Sequence, residues 1–116
     1  MIVAVQGSQA FDDYQVFLRA MGVALSGLHE EDHEFYLYSA GPARVNSFVM
    51  EFSNISERGL RERGKKIKYF KVPPQWLEEN ISSFNYVVYL SKPKEPVSRV
   101  VAAAELADVE TGIFRY

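Results

Sequence analysis

Three short loops, each leading towards a helix, hold the residues of this chain that could do chemistry. The first is Gly7-Ser8, directly after the apolar run Ile2-Val3-Ala4-Val5. Glycine lets the backbone turn tightly and lets a ligand approach with no Cβ in the way. A helix N-terminus just beyond it offers free N–H groups and partial positive charge, which suit phosphate. Ser8 adds a hydroxyl and Gln9 an amide. The second is Ser39-Ala40-Gly41-Pro42-Ala43-Arg44-Val45-Asn46. Its Arg44 could grip a phosphate or carboxylate with two donors. Its Asn46 could read an amide or hydroxyl on a sugar or base, or simply cap the helix. The third is Ser91-Lys92-Pro93-Lys94-Glu95-Pro96, where Lys92 could close over a bound group. Taken singly, each is more plainly a turn with a cap. Taken together, they make Gly7, Ser8, Gln9, Ser39, Gly41, Arg44, Asn46, Ser91 and Lys92 the candidate ligand-binding set. Neither the Gly-x-Gly-x-x-Gly fingerprint nor a Gly-Lys-Ser/Thr phosphate loop is present.

Other residues point less sharply. His29 and His33 are four apart, a spacing that on a helix could present two metal ligands. Gly27 and the acidic Glu30-Glu31-Asp32 argue for a solvated loop, and no metal is expected. Arg58, Arg61, Arg63, Lys65, Lys66 and Lys68 form a basic stretch broken by Glu57 and Glu62. The favoured reading is a solvated helix face laced with pairs such as Glu57–Arg61 and Glu62–Lys66, so nucleic acid is not an expected partner. Trp76, Tyr69, Tyr86 and Tyr89 could stack on a base but more commonly serve a core or a subunit contact. Glu51, Glu78, Glu79 and Glu105 lie on predicted helices, and nothing in their spacing pairs any two for acid–base work. No catalytic residue is assigned, and no cofactor is implied.

The elements that must position these residues follow from periodicity. Ile2 to Val5 reads as a strand buried on both faces. Tyr14, Phe17, Leu18, Met21, Leu25 and Leu28 recur on one helical face, capped by Asp12 or Asp13. Phe35 to Tyr38 is a second strand. Val45, Phe48, Val49, Phe52 and Ile55 mark a helix ending near Gly59 or Gly64. Ile67 to Val72 is a third strand, and Pro73-Pro74 ends it before a short helix within Gln75 to Ile81. Phe84 to Leu90 is the strongest strand signal. Pro96 suits the first turn of a helix striped by Val97, Val100, Val101, Ala104 and Ala107. Gly112 to Tyr116 supplies a last strand. Strands alternating with helices predict an α/β fold: a small three-layer sandwich of about five mostly parallel strands, with helices on both faces. Ligands in such sheets collect at the carboxyl ends of the strands, where the winding reverses.

Composition narrows the classes further. A chain of 116 residues, 47% hydrophobic and 24% charged, is predicted to be one domain over residues 1–116. At this length about two thirds of the unfolded surface can be buried. No apolar run is long enough to span a membrane, and Met1 leads straight into a strand, so neither a membrane partner nor a signal peptide is expected. There is no cysteine, which excludes disulfides, thiol catalysis and thiolate-bound zinc and suits a cytoplasmic protein. The net charge of −2 offers no general attraction for nucleic acid.

The loops also carry a resemblance. Gly7-Ser8-x-x-Phe11 resembles the Gly-Ser-Arg-x-Phe opening of the SLOG superfamily, in particular its YspA/YpsA-related branch. Ser39-Ala40-Gly41-Pro42-Ala43-Arg44-Val45-Asn46 is similar to that branch's Ser-Gly-Gly-Ala-x-Gly-Val-Asp loop. Val72-Pro73-Pro74-Gln75-Trp76 resembles its Val-x-Pro-Ala-x-Trp segment. The order fits across nearly the whole chain. The resemblance implies a Rossmann-like fold that binds nucleotides or nucleotide-derived signals, with Gly7, Ser8, Ser39, Gly41, Val45 and Asn46 around the ligand. The departures are Gln9 in place of the family's arginine, Asn46 in place of its acid, and the loss of its Arg-Asn-x-x-Met stretch. Ser91 to Pro96 also lacks the glycines that related phosphoribohydrolases carry after the fourth strand.

The expected function is therefore binding of a nucleotide or nucleotide-derived ligand without catalysis. The alternatives are an N-glycosidic hydrolase acting on a nucleoside monophosphate, and an interaction protein whose nucleotide site has degenerated. A homodimer is the expected assembly.

Overall fold

The computed structural model describes residues 1–27 and 31–115. Five strands form one parallel sheet in the order β3-β2-β1-β4-β5. They are β1 (Ile2–Gly7), β2 (Glu34–Ser39), β3 (Lys66–Lys71), β4 (Tyr86–Ser91) and β5 (Glu110–Arg115). Helices α1 (Tyr14–Leu25) and α2 (Ala43–Glu62) cover one face; α3 (Pro74–Glu79) and α4 (Arg99–Leu106) cover part of the other. The α/β sandwich read from the sequence is thus the observed Rossmann-like architecture, and every strand pair is parallel. Among the described residues, no helix is long and apolar enough to cross a membrane.

β1 and β4 are paired on both sides and have helices over both faces, so they shed polar side chains. All six residues of β4 are buried, as are Val3 to Gln6 of β1. Alternation divides them between two cores. Val3, Val5, Val88 and Leu90 pack with Phe17 and Met21 of α1 and Val45 and Val49 of α2. Ala4 and Val87 pack with Leu77 of α3 and Val100 and Ala104 of α4. The same alternation puts Gln6, Tyr89 and Ser91 on the α3/α4 side.

Several boundaries differ from the sequence reading. Asp13 is the residue that caps α1, accepting from the Val16 N–H. Helix α2 runs through Gly59 and ends at Glu62, followed by Gly64 at positive φ. Ile55, predicted on its apolar stripe, is 66% exposed. Pro96 does not open α4: Ser98 caps it, accepting from the Val101 N–H, and Val97 lies outside the helix and exposed. A serine hydroxyl at the cap outweighs proline's fixed φ as a start signal here. Predicted Leu28, Glu30 and Tyr116 lie outside the described residues, as does His29, while His33 is exposed. Among the described residues no cluster of three ligand-type side chains exists to hold a metal.

Helix α3 has only six residues, so its attachment rests on few side chains, and Leu77 is its one fully buried anchor. Leu77→Ala is expected to destabilise the protein by about 2–5 kcal/mol, read as a lowered urea midpoint at unchanged m-value.

Candidate functional site

The three predicted loops meet at one edge of the sheet, joined by backbone hydrogen bonds. The Gly7 N–H donates to the Gly41 carbonyl at 3.1 Å, and the Ser8 N–H to the Leu90 carbonyl at 2.8 Å. The Ala40 N–H donates to the Val5 carbonyl at 3.1 Å. This edge is where winding reverses between β1 and β4, the place at which parallel sheets leave a crevice.

Gly7 earns its place through packing. A Cβ there would fall 2.7 Å from Val45 Cγ2 and 3.2 Å from the Leu90 carbonyl oxygen. The missing side chain lets α2 press against the end of β1. Gly41 differs: its φ of 90° is a conformation that side chains resist, and no atom crowds the position where a Cβ would stand. Asn46 fixes the second loop from within. Its Oδ1 accepts from the Gly41 N–H at 2.8 Å and from the Ser39 hydroxyl. Asn46 therefore neither caps α2 nor is free at that oxygen to read a ligand. The cap position is Pro42, which has no acceptor to offer, and the first turn contains no acid. The leading N–H groups of α2, beside exposed Arg44, are left without a side-chain cap.

The third loop is held by Glu95, a residue the sequence reading passed over. Its Oε1 accepts from the Ser8 hydroxyl at 2.8 Å and from the Lys92 N–H, and its carbonyl accepts from Arg115 Nη1 at 2.7 Å. Lys92 reaches Asp12 across the rim at 3.0 Å, and Arg44 approaches the same carboxylate at 3.8 Å. The hydrogen bond and charge of Lys92, with a smaller contribution from Arg44, hold the Asp12 carboxyl below its ordinary value. Burial, then the neighbouring Glu95 charge, raises the Tyr89 phenol, with Arg115 opposing.

Beneath this rim, two buried polar atoms have no hydrogen-bond partner among the described residues, Gln6 Oε1 and Ser91 Oγ. Gln6 is 8% exposed and Ser91 fully buried. They sit at the carboxyl ends of the adjacent strands β1 and β4 and on the same face of the sheet. Most buried polar groups are paired, and leaving one bare costs about 1–3 kcal/mol. Ser91 was among the predicted residues; Gln6 was not. Its signal in the sequence was a lone amide ending an otherwise apolar strand.

Of the remaining predicted residues, Gln9 is exposed, and Ser39 is fully buried under Asn46. An open groove of about 450 Å³ extends the edge towards β3, lined by Gly41, Asn46, Lys71, Pro73 and Pro74 among others. A second concavity of about 340 Å³ lies at the opposite end of the sheet, near Met1 and Asn85. There the Asn85 amide oxygen is taken by the Ile2 N–H. The chain matches no protein-family model, no curated protein and no solved structure.

Two outcomes follow from these contacts. Asn46→Ala strands the Gly41 N–H and the Ser39 hydroxyl and is expected to cost about 1–3 kcal/mol in urea unfolding, whereas Asn46→Asp keeps an acceptor for both and restores most of it. Asp12 titrates with a lowered carboxyl, so its pairing stabilises the fold above the unfolded value of 3.8 and is lost as pH falls through the lower folded value. The gap in urea midpoint between the parent and Asp12→Asn should therefore be present at pH 7 and close below pH 3.8; a gap unchanged with pH would show that the ion pairs contribute nothing.

Proposed function

We propose that this chain binds a nucleotide or nucleotide-derived ligand at the carboxyl edge of β1, β2 and β4, without transforming it. The observation that carries this reading is the pair Gln6 Oε1 and Ser91 Oγ, buried and unpartnered on the two strands that flank the reversal. A polar ligand group reaching either atom would satisfy it. The uncapped first turn of α2 and the Arg44 guanidinium suit the ligand's phosphate. The resemblance of the Gly7-Ser8 and Ser39–Asn46 loops to the SLOG superfamily supports the same class of ligand. Cytoplasmic residence accords with such a role.

The arrangement favours holding over cleaving. An N-glycosidic hydrolase needs a carboxylate free to reach the ribose. At this rim Glu95 Oε1 is engaged by Ser8 and Lys92, and Asp12 is engaged by Lys92 and Arg44.

A thermal-shift and calorimetric screen against mono-, di- and cyclic nucleotides tests the reading. A ligand at a hundred times its dissociation constant adds about 2.7 kcal/mol to stability. Gln6→Met and Ser91→Ala remove unpartnered polar atoms, so each is expected to leave the unliganded protein as stable or more so, while weakening binding about tenfold. No nucleotide binding at millimolar concentration would sink the proposal.

A further inference from the structure

The second face of the sheet is only partly covered. Helices α3 and α4 pack over β1 and β4, while on β3 Lys66, Lys68 and Phe70 stand exposed. The register aligns Glu34 with Lys66, Tyr36 with Lys68 and Tyr38 with Phe70, so these six side chains share that open face. Its centre is a row of rings. Phe70 stacks on Tyr38 at 4.7 Å and 21°, and Tyr38 stacks on Trp76 at 5.3 Å and 12°. Tyr36 leans on Phe70 at 6.2 Å. Phe70 is 38% exposed and Trp76 37%, on either side of Tyr38.

Charge distinguishes what could cover this face. Lys66 and Lys68 carry no ion pair among the described residues. The basic residues preceding them are differently disposed: Arg61 pairs with Glu57 and Arg58 with Glu62 along α2. The acid on the open face, Glu34, accepts from the Tyr36 phenol. Two copies meeting through this edge strand would bring their lysine rows together, and like charges facing across strands destabilise pairing. A polyanion that also brings flat apolar rings meets no such conflict. Exposed aromatic rings on a sheet, flanked by cations, are how proteins stack unpaired bases while tracking the phosphates. A duplex hides its base faces and could use only the lysines.

We infer that the open face of β2 and β3 binds single-stranded nucleic acid, with bases packed against Phe70 and Trp76 and phosphates along Lys66 and Lys68. The inference is independent of the nucleotide site at the carboxyl edge. It assigns a partner to a basic stretch whose sequence reads as a solvated face.

Trp76 is the chain's single tryptophan, so its emission reports on this face directly. The experiment titrates the full chain with a labelled single-stranded oligothymidylate and with a duplex of equal length, at low and at physiological salt. Expected are an anisotropy rise and a Trp76 emission change with the single strand, and weaker binding to the duplex. The salt slope should correspond to about two phosphates at ~0.7 each. Phe70→Ala should weaken single-strand binding about tenfold. Lys66→Glu with Lys68→Glu, both at exposed positions, should weaken it and flatten the salt slope while circular dichroism stays unchanged. Four results would overturn the inference: no binding at low salt; equal affinity for duplex and single strand; binding that leaves Trp76 emission unaltered; or binding indifferent to Phe70→Ala. Sedimentation showing a dimer that Phe70→Ala dissociates would also overturn it, giving the face to a second copy.

Discussion

A strand paired on both sides and covered by helices on both faces has no free edge and no wet face, and β1 lives under that constraint. Its backbone is used up by β2 and β4 and helices cover both its faces, so its interior side chains are apolar but for Gln6, and its neighbours must be reached by crossovers. The two crossovers that follow it lead outward to β2 and β3, and the next returns past it to β4. That reversal separates the loops leaving β1 and β4 from ordinary close packing. Every candidate ligand contact stands on one side or the other of this divide. The small residues at the end of β1 are the local price of it: α2 can close against the strand only where Gly7 has no side chain.

The architecture was legible because its signals were periodic. Apolar runs bounded by turn residues located β1 and β4, and spacings of three and four located α1 and α2. The convergence of three loops followed from their common position after strands. What escaped was decided by single polar contacts. Nothing in the pattern around Glu95 announces that its carboxylate will take the Ser8 hydroxyl from a loop more than eighty residues away. Asn46 was read as a possible cap or ligand reader, and the structure spends its oxygen on its own loop. The start of α4 was misjudged because Pro96 and Ser98 are both start signals, two residues apart. The exposed aromatic row was invisible for another reason. Tyr36, Tyr38 and Phe70 look like core residues until the helices are seen to stop short of β3.

The two faces of the sheet therefore divide the labour. The α1/α2 side carries the larger apolar core and most of the aliphatic and aromatic burial. The α3/α4 side is thinner, with α3 only six residues long and α4 eight. It is on this thinner side that Gln6 and Ser91 are left without partners and that the aromatic row reaches solvent. Stability is concentrated on one face, which leaves the other free to hold residues that do little for folding.

Asp12 adds a last consequence. One carboxylate on the loop before α1 is shared by Lys92 from the third loop and Arg44 from the second. The rim thus contains its own resident competitor for anions. A phosphate drawn to either cation has to displace that carboxylate, so occupancy and the position of the segment leading into α1 are thermodynamically linked. The stronger Asp12 holds its two cations, the more selective the rim becomes for ligands carrying more than one negative charge.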